Sequence, residues 1–434
     1  MIFPKWICPL VLLLSPVAEL FAADWPQWRG PRRDGVCDET GLLQQWPEGG
    51  PPLVWTSTNL GRGYSAPIVL GQRIFLAGDV GEQLHIFALD LEGQPVWQAR
   101  NGRSWKSPYP GARASCTYSE GRLYHLNAHG RLACLDADTG KELWSVNVVE
   151  RFDGKVIHWG LSENLLVDGP RVIVTAGGSK GLMAALDKKT GETVWASEPL
   201  RLGESRLPAH ERLSEPFGEV DNASYASPIL VTVGGRRQIV NCSLRHVFGV
   251  DADTGQLLWT RPMRTRYSVI AMTPVLVGDS IFVTAPHGEG GRLYHLRANG
   301  PRLELESLWS TQLDACQGGI VYVDGALYGA MYDKARTWLS VDARTGATRY
   351  QLNDFAKGSM LYADQRLYCL SEQGEVALLE PRADRFEVKG RFKLVPERKS
   401  DVWTHPVMSN GRLYLRYNET LFCYDVRKSA SVTP

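Results

Sequence analysis

The sequence predicts an all-β fold: an eight-bladed β-propeller of four-stranded antiparallel blades, its ring closed by a strand from the N-terminal side. Three observations carry this. A hairpin phrase recurs along most of the chain, a tight polar turn recurs out of phase with it, and the last repeat is one strand short.

The hairpin phrase is clearest at 133–144, where an apolar run ends in Asp136, the chain turns at Thr139-Gly140, and Trp144 follows four residues beyond the glycine. Asp accepts backbone N–H groups across such a turn, and Gly takes the φ > 0 position that other residues enter at a cost. The phrase returns at 88–97, 185–195 and 249–259, at 340–350 with Tyr in the Trp place, and in worn form at 295–309. Segments near Leu379 and Tyr424 keep less of it.

The second repeat is an apolar strand, a tight turn and another apolar strand. Its eight turns are Gly71-Gln72, Glu120-Gly121, Asp168-Gly169, Gly234-Gly235, Gly278-Asp279, Asp324-Gly325, Asp364-Gln365 and Asn410-Gly411. Pro67, Pro228, Pro274 and Pro406 open four of the preceding strands, where proline costs no ladder bond. Alternating the two hairpins gives a four-stranded unit, and such units bury their faces only by radial stacking. The last unit, from 404 to 425, supplies three strands, and the fourth is found at Leu53-Val54-Trp55-Thr56, which closes the ring and removes an open edge.

The remaining segments fall outside this period. Residues 1–23 carry Lys5, an apolar stretch from Trp6 to Val17 and Ala22-Ala23, as a cleaved export signal does; the stretch is about 12 residues against the ~20 that span a bilayer. Residues 24–52 form an irregular extension rich in Pro, Gly and Arg, whose Trp residues are expected to pack on the surface of the ring at 53–426; 427–434 is a tail. With 48 basic and 47 acidic residues there is no field to draw nucleic acid. Seven cysteines remain beyond the signal, an odd number with no Cys-x-x-Cys, so neither a zinc site nor a redox dithiol is expected; most sit in predicted strands as small buried hydrophobes.

The phrase Ala/Cys-x-Asp-x-x-Thr-Gly-x-x-x-Trp resembles the repeat of the pyrroloquinoline quinone (PQQ) dehydrogenase superfamily, over about residues 53–426. The resemblance implies that Trp55, Trp97, Trp144, Trp195, Trp259 and Trp309 dock between neighbouring blades. The same repeat occurs in quinoprotein alcohol dehydrogenases, with quinone and calcium on the axis, and in the outer-membrane assembly propeller lipoprotein, a scaffold without cofactor. Trp25-Pro26-Gln27-Trp28-Arg29-Gly30-Pro31 and Trp159-Gly160 are most similar to secreted bacterial members.

The enzymatic branch requires a Glu, Asn and Asp set for calcium, a catalytic Asp and usually a disulfide between adjacent cysteines. No adjacent cysteines occur, and the carboxylates match no family motif residue by residue. Asp136 and Asp138 resemble the start of a calcium loop, but no Glu closes it. Cys-x-x-Cys-His, His-Glu-x-x-His and Gly-x-Ser-x-Gly are absent, and the turn at 177–181 lies between strands with no helix to make a phosphate cradle. No catalytic residue, metal or cofactor is therefore assigned.

Strand order places the loops after each outer strand, and those between second and third strands, on one face. Several are long, at 98–113, 147–162, 197–225 and 261–270, and carry Arg and aromatic residues, which are enriched in binding hot spots. Arg113, His158, Trp159, Asn222, Tyr225, Tyr267, Trp403 and His405 are the residues expected to line an axial funnel. The expected function is a periplasmic or secreted, monomeric binding scaffold for an envelope protein, peptide or polysaccharide. The alternative is a PQQ- and calcium-dependent alcohol or sugar dehydrogenase.

Overall fold

The computed structural model describes residues 24–202, 219–233, 235–263, 265–299 and 302–428. The expected export signal, Gly234 of one tight turn, Arg264, most of the 197–225 loop and the end of the tail lie outside the described residues.

Eight sheets of four antiparallel strands form the ring, within 68–103, 117–147, 166–196, 229–262, 275–311, 321–352, 358–393 and 407–425; they are blades one to eight in that order. Leu53–Ser57 pairs with Thr420–Asp425 as the outer strand of blade eight, so the first and last segments of the propeller share one sheet. Blade seven gains a fifth strand, because Val36–Cys37 of the extension runs parallel to its inner strand. The inner turns are two-residue turns of the kinds that match the twist of the flanking strands: both φ angles are positive at Glu120-Gly121 (47° and 77°), Asp324-Gly325, Asp364-Gln365 and Asn410-Gly411, and the first alone is positive at Gly71-Gln72 and Gly278-Asp279. In blade three the turn is one residue later than expected, at Gly169-Pro170, because Asp168 already pairs with Arg171.

The outer turns work as clasps. Asp136 Oδ1 accepts from the Thr139 N–H at 2.9 Å and the Thr139 hydroxyl at 2.7 Å, and Asp187, Asp251 and Asp342 repeat the N–H bond. These bonds hold the Asp136 carboxyl below its ordinary range, and Asp342, helped first by Arg349, falls to about 2. Each clasp glycine then receives the tryptophan of the preceding blade. A Cβ on Gly191 would sit 2.6 Å from the Trp144 ring, and Trp144 Nε1 donates to Lys188 O at 3.1 Å. Trp55 lies on Gly93, Trp97 on Gly140, Trp195 on Gly255 and Trp309 on Gly346 in the same way. Only glycine fits there, since φ is positive (74° at Gly191) and the indole occupies the side-chain position.

Trp259 departs from the expected docking. Blade five has a long hairpin, Gly290–Asn299 with Arg302–Thr311, in place of the clasp, so Trp259 has no glycine ahead of it. It folds onto Gly249 of its own blade and donates to Gln238 Oε1 at 2.7 Å, while still packing in the core shared with blade five. Between blades six and seven Tyr350 meets Phe386 edge-on at 4.9 Å. Blade seven has Gly390 in the Trp place, and Trp46 from the extension lies over it, edge-on to Phe392 of the same strand.

The extension's tryptophans do more than pack on the surface of the ring: Trp25 and Trp46 are buried in the core that joins blades seven, eight and one. The extension also plugs the axis. The chain entering the inner strands has backbone carbonyls that no ladder pairs, and a buried carbonyl without a donor is costly. Arg33 answers three of them, donating to Asn164 O (2.7 Å), Leu165 O (2.9 Å) and Pro228 O (2.8 Å), and Arg29 donates to Ile320 O. Burial lowers both guanidinium pKa values to about 10, which leaves them charged at neutral pH.

Replacing Trp144 by Ala removes a half-buried indole and its bond to blade three, and a fully buried Trp costs about 3–5 kcal/mol on truncation. Trp144→Ala is expected to lose about 2–3 kcal/mol in denaturant unfolding, with the ring still folded. Stability equal to that of the parent would remove the clasp assignment.

Candidate functional site

The residue four positions before the first residue of the inner strand lines one axial cavity in seven of the eight blades: Tyr64, Arg113, Ser162, Tyr225, Ala271, Gln317 and Trp403. One register position ahead of the inner strand thus reaches the cavity in every blade but the seventh, where Asp354 holds that position outside the lining. Further lining comes from Tyr109, Trp159 and Tyr267 on the long loops, and from His287 and Tyr332 between second and third strands. The cavity measures about 400 Å³, and Trp28 of the extension forms part of its lining.

Five of the eight funnel candidates, Arg113, Trp159, Tyr225, Tyr267 and Trp403, line this cavity, and three do not. His158 stands exposed at the rim with its ring edge-on to Trp159 at 4.6 Å. Asn222 is buried between blades three and four, its carbonyl accepting from Leu244 N, because it lies seven residues before its strand. His405 is one layer deeper, two residues before its strand, where its ring meets Trp28 at 4.2 Å and Nε2 bonds Gln317 O at 2.8 Å.

The walls are aromatic groups in contact. Trp403 meets Tyr64 (5.0 Å) and Tyr109 (4.9 Å); Trp159 meets Tyr225 (5.7 Å); His287 meets Tyr267 and Tyr332 (4.8 Å each). Arg113 carries the fixed charge of the lining, but its guanidinium donates to the carbonyls of Trp159, Gly111, Pro108 and Tyr109. It therefore ties two loops together and has little left for a ligand. Behind the wall, Glu372 accepts from Gln317 Nε2 (2.7 Å) and Trp403 Nε1 (3.2 Å), fixing two lining side chains, and burial raises its pKa. Burial also raises the Tyr64 hydroxyl and lifts Tyr332 to about 12, so both keep their protons.

Trp28, Gln317 and Tyr332 escaped the sequence reading. One signal was there: Tyr64, Tyr225 and Trp403 each stand three residues before a strand-opening proline, at Pro67, Pro228 and Pro406. The other blades lack a matching aromatic-proline pair, which hides the register.

The quinone and calcium of the resemblance call for carboxylate donors at the axis. The cavity lining contains neither Asp nor Glu, and its one Asn is committed: Asn164 Oδ1 accepts from Ser115 N at 2.6 Å and Nδ2 donates to Ser227 Oγ at 3.0 Å. Among the described residues no three His, Cys, Asp or Glu gather as metal ligands, and Cys316 lines the cavity as a free thiol. The residues present do not fit that group, and no chemical step is derived through it.

Comparison with known proteins places this geometry in context. The family model described as outer membrane protein assembly factor BamB matches residues 82–352. A 1-butanol dehydrogenase (quinone) from Thauera butanivorans is 28% identical over 35% of this chain and 23% of its own length. Outer membrane protein assembly factor BamB from Moranella endobia is 26% identical over 59% of this chain and 58% of its own length. The chain thus spans under two thirds of either relative. The quinohemoprotein alcohol dehydrogenase structure from Comamonas testosteroni superposes with a TM-score of 0.62 at 14% identity, covering 95% of this chain and 82% of that one, which is a likeness of fold.

The buried His405 gives the cavity floor a pH dependence. Burial, with Arg29 alongside, lowers its pKa from 6.5 to about 3. The unfolded chain therefore takes up the proton first as pH falls below 6.5, and the folded state loses stability until pH reaches about 3. His405→Gln keeps a donor for Gln317 O without the titration, so its stability relative to the parent is expected to rise by about 2 kcal/mol between pH 7 and pH 5. Denaturant unfolding of both proteins at the two pH values measures this, and Glu163, lifted to about 7 by burial, is common to both and cancels. A pH-independent difference would contradict a neutral buried imidazole.

Proposed function

The chain belongs to the PQQ_2 family of β-propellers, described as outer membrane protein assembly factor BamB, and from that premise we propose a non-catalytic binding scaffold of the cell envelope. The observation that carries the reading is the chemistry of the axial cavity. It is aromatic, its guanidinium is bonded to the protein's own carbonyls, and its lining holds no carboxylate to act as acid, base or metal ligand. Such a site orients a ligand without an evident means of transforming it. An exported chain is consistent with the apolar leader expected at 1–23, and a periplasmic or secreted place follows under this reading.

The second reading is a PQQ-dependent oxidoreductase, favoured by the likeness to the quinone-dependent butanol dehydrogenase. It requires donors from loops that the cavity does not include. The two separate in one experiment: the purified protein is given PQQ and calcium, and absorbance and dye reduction are followed with alcohols and sugars. The scaffold reading expects no stoichiometric spectral change and no dye reduction above a protein-free control. Stoichiometric quinone uptake with substrate-dependent reduction would reverse the order.

A further inference from the structure

We propose that the axial cavity takes the uncharged end of a glycan chain; this rests on the scaffold reading and names the ligand class of the same site. Four features of the lining select it. The first is shape. The cavity is about 400 Å³, within the range of small-ligand sites, and it ends on Trp28, with Arg29 and Arg33 buried on the axial carbonyls beneath. A ligand therefore enters by its end and does not thread through.

The second is the absence of usable charge. An acidic ligand would need a free cation, and Arg113 already donates to four backbone carbonyls. A cationic ligand would need carboxylates, which the lining lacks, and two of the lining rings already face the protein's own cations: Lys357 Nζ lies 3.5 Å from the Tyr332 centroid and the Arg266 guanidinium 5.3 Å from that of Tyr267. What remains favoured is a neutral molecule.

The third is the pairing of ring faces with hydroxyl edges. Trp159 and Trp403 offer flat apolar faces, and Tyr64, Tyr109, Tyr267 and Tyr332 add phenol groups that donate and accept. A pyranose ring is built to match: C–H groups on its flat faces and hydroxyls around its edge. A purely apolar ligand would cover these phenols without pairing them, at a cost. The fourth is preorganisation. Glu372 fixes Trp403 and Gln317 from behind, and Arg113 fixes the backbone at Trp159, so the walls need little ordering on binding.

The test is a titration of the full chain with neutral oligosaccharides (malto-, cello-, manno- and chito-tetraose) and with an oligogalacturonate and a Trp-containing peptide, followed by tryptophan fluorescence. At least one neutral sugar is expected to give a saturable change whose affinity does not alter between low and high salt. That affinity is expected to fall roughly tenfold in Trp403→Ala and in Tyr267→Ala. Tyr267 is 46% exposed, so its variant keeps the fold even if the Trp403 variant does not. Silence from every neutral sugar, or binding confined to the acidic sugar or the peptide, overturns the glycan assignment. The scaffold reading survives those outcomes, because only quinone-dependent dye reduction removes it.

Discussion

The contact on which the ring depends is an indole laid on the glycine of the next blade's turn. A propeller has to fill a wedge between each pair of twisted sheets, and the wedge is widest at the outer strands. Trp supplies the bulk, a glycine with positive φ lets it close against backbone, and the indole N–H finds a carbonyl at four such seams, as Trp97 finds Ala137 O at 3.1 Å. At the Trp195 seam the indole nitrogen has no acceptor, and the Ala252 carbonyl takes a bond from Arg171 instead. The exceptions follow the same constraint. Where blade five lacks the glycine, Trp259 lies over Gly249 of its own blade and still packs against blade five; where blade seven has Gly390 in the Trp place, Trp46 is brought from the extension.

A second constraint follows from closing the ring. Inner strands have no partner on the axial side, and the carbonyls of the residues that lead into them at Asn164, Leu165, Pro228 and Ile320 are met by side chains instead. Arg29 and Arg33 meet that need with planar, multiply donating groups, and both sit at positive φ (59° and 60°), the local strain of a chain turned to reach the axis. The extension thereby converts a channel into a blind cavity, and Trp28, carried on the same turn, becomes part of its lining.

The ring was legible because its determinants are close in sequence. Asp136, Thr139, Gly140 and Trp144 lie within one hairpin, and their period survives loops of different length. The extension was not legible because Arg33 finds its carbonyls 131 to 195 residues away and Arg29 finds Ile320 at a separation of 291, with no repeat to signal either. The candidate site stood between these cases. Arg113, Tyr225 and Trp403 occupy the register position that faces the axis, while Asn222 and His405 were chosen by residue type from neighbouring positions of other depth. At Trp259 the seam with blade five is kept but the glycine contact is not: that glycine belongs to a different repeat, and the repeat has lost it.

The two hairpin systems divide the labour of the molecule. Clasps and inner turns lie on one side of each blade, and the seven axial positions lie on the segments that join blades on the other. Those positions hold Tyr, Arg, Ser, Tyr, Ala, Gln and Trp, so their chemistry varies while the strand they introduce does not. A substitution there changes the cavity without touching a clasp, and a substitution in a clasp loosens the ring without recolouring the cavity. This is why a chain of this kind can be similar both to a 1-butanol dehydrogenase (quinone) and to an outer membrane protein assembly factor, and why likeness of fold leaves activity open. The informative comparison among such propellers is the set of side chains four residues before each inner strand: carboxylates and amides there would supply a metal, whereas Tyr and Trp beside a saturated arginine supply faces for a neutral ring.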